Sequence, residues 1–231
     1  MTRTSNPPPS KVLKLYACLF IALLGACAPT RDELRQSLEI SDACCQSLEQ
    51  FEYIDLAYGQ TITTRISEKN RSFTFTSGKS YFLAYRLPAF QAPYTISIHS
   101  YLTGMTYTRG YFFYPISALL DDNHRIRSIS RIPADRMTDA ERQTLMGDPY
   151  LVQDISIQEA DRFLVVYTDP QMIGQSFPYI KDTVVGNTVY HPYGSVVINR
   201  PVHIRANIAY AVGGKLEVRI PALASNHGDT P

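Results

Sequence analysis

Four cysteines are the residues of this chain whose chemistry depends most on their spacing. Cys18 and Cys27 lie near the start, and Cys44 and Cys45 are adjacent. Neighbouring Cα atoms are about 3.8 Å apart, below the usual span of roughly 4.4–6.8 Å across a disulfide. A bridge between Cys44 and Cys45 would therefore strain the peptide between them and be easily reduced. Two buried reduced thiols and an intermolecular bridge are the alternatives.

Cys27 ends a segment that is typical of a bacterial lipoprotein signal. Small residues precede it in Leu24–Ala26, and every charged residue before it is basic. The apolar stretch Leu15–Leu24 would span roughly 15 Å as a helix, half of the ~30 Å hydrocarbon core, which argues against a permanent transmembrane helix. We predict a signal peptide over residues 1–26 and acylation of the Cys27 thiol. An ordinary secretory signal with an incidental cysteine is the alternative.

The predicted lipid fixes an expected location in the cell envelope. Ala28 follows the cysteine where an aspartate would favour the inner membrane, so the pattern favours an outer membrane lipoprotein facing the periplasm. Loss of the basic signal leaves a slightly acidic mature chain without a clustered basic face, which argues against a nucleic-acid partner. The membrane is therefore the first expected partner, reached through the N-terminal lipid.

The composition of the rest of the chain predicts a mainly β protein. Tyr is abundant with 16 residues, Trp is absent, and Tyr, Thr, Val and Ile all favour strands. We predict a lipid-anchored tether with short helices over residues 27–57, an antiparallel β-sandwich of jelly-roll type over 58–221, and a disordered tail over 222–231. Thr30–Glu33 reads as a capping box that opens the first helix, and Asp42 as the cap of a second helical turn.

Alternation with period two, or a mostly apolar run as in Tyr111–Leu120, marks the expected strands, and turn residues separate them. Thr138–Gly147 reads as one inserted helix, residues 169–194 as a loop region with a short helix around Gln171, and Gly213–Gly214 as the turn of a hairpin. The predicted strands are Phe73–Thr76, Tyr81–Leu87, Tyr94–Tyr101, Tyr111–Leu120, His124–Ile132, Leu151–Ile157, Phe163–Thr168, Ser195–Asn199, His203–Val212 and Leu216–Ile220.

A set of short motifs, in shared order from about residue 44 to 199, resembles the maltose-operon periplasmic protein family (MalM type). The motifs are Cys44–Leu48, Phe73 and Phe75 with Ser77–Phe82, Leu87–Pro88, Tyr114–Pro115 with Leu119–Asp121, Phe163–Thr168, and His191 with Gly194 before Val197. The resemblance implies an exported envelope protein associated with maltodextrin uptake, without a known reaction or catalytic residues. The lipid-type signal and the paired cysteines depart from the soluble members, which puts a maltose-specific role in doubt.

No sequence motif assigns an enzyme reaction, a cofactor or a metal to the chain. Ser77–Ser80 lacks the first glycine of a phosphate-binding loop, and Gly78 reads as a turn residue between two strands. The histidines lack the spacing of a helical metal pair, and two adjacent thiolates lack zinc-site spacing. Asp121 and Asp122 read as turn residues. We therefore expect a non-catalytic protein, with an envelope hydrolase as the remote alternative.

Tyrosines supply the candidate ligand surfaces. Tyr179, Tyr190, His191 and Tyr193 fall in the predicted loop region and form the candidate ligand rim. The aromatic stretch Tyr101–Tyr114 is expected to pack in the core, with a sugar-stacking platform as the alternative. Two functions follow: an accessory protein that binds carbohydrate such as maltodextrin, or an assembly lipoprotein that binds another envelope protein.

Overall fold

The computed structural model describes residues 30–104, 110–132 and 149–223. The predicted signal peptide with Cys27, the predicted helix Thr138–Gly147 and most of the predicted tail lie outside these residues. The described chain is mainly β, as its composition predicts. It contains one α-helix, α1 (Arg31–Ile40), and 3-10 turns at Leu48–Gln50 and Pro170–Met172.

Most of the described strands pair in antiparallel fashion, and they form four sheets. A five-stranded sheet has the order β1-β5-β11-β8-β9, a four-stranded sheet β10-β6-β14-β2, a three-stranded sheet β12-β13-β7, and β3 pairs with β4. The strands are β1 (Ile54–Asp55), β2 (Thr61–Ile66), β3 (Ser72–Phe75), β4 (Gly78–Tyr81), β5 (Leu83–Arg86), β6 (Tyr94–Tyr101), β7 (Tyr111–Phe113), β8 (Ile116–Leu120), β9 (Ile126–Arg131), β10 (Tyr150–Ile157), β11 (Phe163–Tyr167), β12 (Ser176–His191), β13 (Gly194–Ala211) and β14 (Gly214–Arg219).

The three central strands of the five-stranded sheet, β5, β11 and β8, are buried on both faces of the sheet, whereas the edge strands β1 and β9 are exposed. Every residue of β8 and β11 is buried, which explains why both read as continuous apolar runs rather than as alternating strands. One face packs against the four-stranded sheet and forms core 1, which includes Ile98, Ile155, Leu164, Val166, Leu216 and Val218. The other face forms core 2, which includes Phe51, Phe82, Phe112, Ala118, Val165 and Tyr210. Two sheets packed through one core are consistent with the predicted β-sandwich, and its jelly-roll type stays a prediction.

Helix α1 packs on this body through one side. Leu34 and Leu38, four residues apart on the helix, are both buried in core 1. The Lys79 ammonium donates to the carbonyl oxygens of Glu39 and Ser41 at the end of the helix. Because β1 also pairs with β5, the described part of the predicted tether belongs to the same packed unit as the strands.

The predicted helical turn capped by Asp42 is wrong. Ala43 instead forms a parallel β-bridge with Ser72, and the backbone N–H of Cys44 donates to the Ser72 carbonyl oxygen at 2.8 Å. The short 3-10 turn begins only after Ser47. Pairing with the neighbouring strand satisfies the backbone groups here, and this tertiary contact overrides the local capping preference.

The predicted hairpin at Gly213–Gly214 is also wrong. β13 pairs with β12 and β7, whereas β14 pairs with β2 and β6, so the glycines connect two sheets. A Cβ atom on Gly213 would collide with the carbonyl oxygen of Ile66, and one on Gly214 would lie 3.0 Å from the Cβ atom of Phe113. Neither glycine has a positive φ. The close approach of backbones, rather than turn geometry, therefore requires both glycines.

Candidate functional site

β12 and β13 form one long two-stranded ribbon, which we call the arm (residues 176–211). The strands contain 16 and 18 residues and pair from Ser176 opposite Ala209 to His191 opposite Gly194. At the base, Ala209–Ala211 also pair with β7. Ile208 and Tyr210 at this end are buried in core 2. The base is thus fixed by the body of the protein.

One face of the outer part of the arm is exposed. Gly186, Thr188, Tyr190, Ser195, Val197 and Asn199 are cross-strand partners on one face of the ribbon, and all of them are exposed. Tyr190 is 84% exposed, Val197 59%, and Tyr193 in the connecting turn 94%. This part of the ribbon therefore presents uncovered tyrosine and valine side chains.

The prediction of a loop over residues 169–194 is wrong for most of its length. Residues 176–191 form β12, and only the short turn at Pro170–Met172 matches the expectation of a small helix near Gln171. Glycine and proline suggested a loop, but proline also occurs in edge strands, where its missing N–H interrupts no ladder, and glycine weakens a strand without excluding it. The pairing partner lies later in the sequence, so the local pattern did not identify the strand.

The four residues of the predicted ligand rim do not meet in one place. Tyr179 lies near the base of the arm opposite Ala206, whereas Tyr190, His191 and Tyr193 lie at its tip. Eleven residues at about 3.3 Å each put roughly 36 Å between Tyr179 and Tyr190 along the strand. A single rim is excluded, and the tip keeps two exposed tyrosines, Tyr190 and Tyr193.

The aromatic stretch after Tyr101 belongs to the core. Tyr111, Phe112, Phe113 and Tyr114 are all buried, and Tyr107 lies outside the described residues. The Tyr114 hydroxyl donates to the Ile132 carbonyl oxygen at 3.1 Å. Burial raises the pKa of Tyr114, which keeps this hydroxyl a donor. The core-packing interpretation is correct, and these rings offer no platform to a ligand.

The histidines and aspartates considered as acids, bases or metal ligands stack on aromatic rings or hold turns. His99 is buried and stacks on Tyr150 with ring centroids 4.6 Å apart, and His124 stacks on Phe163 at 4.3 Å. Asp121 accepts hydrogen bonds from the backbone N–H groups of Asn123 and Arg125, each at 2.9 Å, so the predicted turn is confirmed. Within residues 30–104, 110–132 and 149–223, no cluster of three or more metal-binding side chains occurs.

Cys44 and Cys45 are joined to each other by a disulfide in the structure. Cys44 is exposed, while Cys45 is half-buried and packs against core 2. The Ser72 hydroxyl donates to the Asp42 carbonyl oxygen just before the pair. The disulfide thus lies in the segment after α1, beside the backbone contact of that segment with Ser72 at the start of β3.

The outer face of the four-stranded sheet carries a group of polar contacts that the sequence pattern did not predict. The Lys215 ammonium lies 4.8 Å from the centre of the Tyr101 ring, and Glu217 pairs with Arg219. Burial, followed by the nearby Glu217 carboxylate, raises the pKa of Tyr101. Strand register alone brings these residues together. Lys215, Glu217 and Arg219 thus each have a partner on the same face of the sheet.

The arm is the feature that sequence reasoning missed. Its signal in the sequence is Thr183–Asn199, a run of 17 residues that contains no Asp, Glu, Lys or Arg. Val184, Val185, Val189 and Tyr190 in this run favour strands. The absence of charge over a strand-forming stretch could have indicated a paired ribbon in place of a loop.

Comparisons with known proteins add no relative to this picture. No family model matches the chain, and neither the characterised proteins nor the solved structures contain a significant match. The resemblance to maltose-operon periplasmic proteins therefore stays a prediction. Among the described residues, no helix has the length and apolar character needed to cross a membrane.

Proposed function

We propose that this protein is a non-catalytic, lipid-anchored envelope protein that uses its arm to bind another envelope protein. The arm is the observation that carries this proposal. Its base is fixed in core 2, and its tip exposes two tyrosines that the described body leaves uncovered. Tyrosine is enriched among the residues that dominate binding energy at protein interfaces, because it offers a large contact area and a polar hydroxyl.

The N-terminal segment supports an anchored position. The basic start, the short apolar stretch and Cys27 after small residues together favour acylation at the cysteine. Each buried CH₂ group of an acyl chain contributes ~0.8 kcal/mol to membrane binding, so several chains would hold the protein firmly. The protein would then lie at the outer membrane and face the periplasm.

Photo-crosslinking in cells tests the proposal directly. A photoreactive amino acid in place of Tyr193 in the full chain is expected to capture one envelope protein in stoichiometric yield. The same amino acid at Ile129, an exposed residue of β9, is the matched control and is expected to capture none. Tyr190→Ala should reduce capture at position 193 without changing the thermal unfolding of the protein.

Two results would count against the proposal. Equal capture from Tyr193 and from Ile129 would show that contact at the tip is not specific. A Cys27→Ser chain that still fractionates with the outer membrane, and a mature Cys27 without lipid mass in mass spectrometry, would remove the anchor.

Carbohydrate binding is the second candidate function. The observation that favours it is the pair of exposed rings at Tyr190 and Tyr193, because flat aromatic surfaces can stack on sugars. Isothermal titration with maltodextrins and with peptidoglycan fragments tests this candidate. A heat signal lost in Tyr193→Ala would support it, and the absence of heat with every glycan would remove it.

A further inference from the structure

We propose that two copies of this protein pair through the open edge of β12, so that their arms form one continuous four-stranded sheet. β12 is the last strand of its sheet, and one of its edges pairs with none of the residues that the structure describes. The inference rests on the geometry of the arm and does not depend on the partner proposed above. It names a second copy of this chain as the occupant of that edge.

The first argument comes from the stability of the ribbon. An isolated two-stranded ribbon is at best marginally stable in water, and three or more strands are needed for independent stability. Beyond its base, the arm contains only two described strands, and its exposed face packs on nothing in the described body. Two arms joined edge to edge would supply the missing strands.

The second argument comes from the chemistry of the edge. Sheet edges that stay unpaired usually carry charged residues, often lysine, that prevent pairing with another chain. The outer part of β12, Thr183–His191, contains no Asp, Glu, Lys or Arg. Its open edge presents backbone N–H and C=O groups on which another extended strand can pair. Nothing in this segment opposes such a partner.

The third argument identifies that strand as a copy of β12 itself. When a strand pairs with itself about a two-fold axis, each residue faces a fixed position of the same sequence, and like charges that face each other are destabilising. Antiparallel pairing of two copies over the whole of Thr183–His191 places Asn187 of one copy opposite Asn187 of the other. Because this run contains no charged residue, no like charges face each other within it. Lys181 and Asp182 fall beyond the paired segment. The run is therefore compatible with its own copy.

Co-purification of two differently tagged full-length chains tests the pairing. The wild-type copies are expected to co-purify. Asn187→Lys in both copies places two like charges at the axis and should reduce co-purification by about tenfold or more. Ser128→Lys places the same charge on β9, the described free edge of the five-stranded sheet, and should leave co-purification unchanged.

Charge complementation distinguishes lost pairing from lost folding. A chain with Asn187→Lys should co-purify with a chain carrying Asn187→Glu as well as the wild-type copies do with each other. Asn187→Cys should form an intermolecular disulfide under mild oxidation, because residues directly opposite have Cβ atoms about 4.5–5.5 Å apart. Wild-type copies that do not co-purify, or pairing that is insensitive to Asn187→Lys, would overturn the inference. Capture of a different protein at Tyr193 would be unaffected by either result.

Discussion

The hydrogen bond between Ser117 and Gln153 links the two main sheets, and its two partners should respond unequally to mutation. Ser117 on β8 donates to the Gln153 side-chain oxygen on β10 at 2.6 Å. The residues are 0% and 3% exposed. The amide nitrogen of Gln153 has no hydrogen-bond partner among the described residues. We predict that Ser117→Ala destabilises the protein more than Gln153→Leu does.

The magnitudes follow from the groups that each change leaves unpaired. Ser117→Ala leaves the whole Gln153 amide buried without a partner, which costs about 1–3 kcal/mol in the free energy of unfolding. Gln153→Leu removes an amide whose nitrogen is already unpaired, and it leaves only one small hydroxyl that can turn toward a backbone oxygen. Its cost should therefore stay near 1 kcal/mol. With both changes, apolar groups replace both partners, and the stability should return to within about 1 kcal/mol of the wild type.

Urea unfolding of the four variants of this cycle measures these free energies. Ser97→Ala is the matched control, because Ser97 donates to Asp154 at the same 2.6 Å but on the exposed face of the four-stranded sheet. Water can replace that bond, so the control should lose less than about 1 kcal/mol. The reasoning would be refuted if Gln153→Leu cost as much as Ser117→Ala, or if the double variant lost the sum of both.

Three further predictions concern other parts of the fold. Gly213→Ala should lower the free energy of unfolding in urea by about 1–3 kcal/mol, because the new Cβ atom would collide with a carbonyl oxygen of β2. Gly186→Ala is the control and should lower it less, because its Cβ atom would meet only side-chain atoms at 3.2 Å. Burial raises the pKa of Tyr85 to about 12, because the folded protein favours the neutral hydroxyl. The stabilisation from neutral Tyr85 is therefore complete below about pH 10 and is lost as the pH rises through 12. In Tyr85→Phe, the free energy of unfolding should fall less between about pH 10 and about pH 12 than in the wild type. An equal fall in both proteins would show that ionisation of Tyr85 is not its cause. Thiol alkylation should label Cys44 and Cys45 only after a reductant is added, and labelling before it would show that the pair is reduced.

The apolar pattern of the sequence predicted the strands that lie in the body of the protein, as alternation in β6 and as a continuous apolar run in β11. Tyr94–Tyr101 was predicted with the bounds that β6 has in the structure. Phe163–Thr168 was predicted one residue longer than β11. Both segments bury apolar side chains in the cores, so burial imposed a pattern that can be read locally.

The arm was not predicted in this way, because Gly186 and Pro192 suggested a loop. Tyr190, His191 and Tyr193, three of the four residues predicted to form the ligand rim, lie together at the tip of the arm. The grouping of Tyr179 with them failed because strand length, which separates them, depends on pairing with a distant part of the chain.

By itself, the sequence determined the mainly β class through its strand-forming residues, and it determined helix α1 and the turns at Gly78 and Asp121 because these depend on contacts within a few residues. It also carries the expectation of a lipid at Cys27, which rests on the sequence pattern alone. Only the tertiary structure decided that β13 and β14 lie in different sheets and that residues 176–211 form a ribbon. The physical reason is that backbone hydrogen bonds between strands are made without regard to side-chain identity, so packing and chain connectivity select each strand's partner.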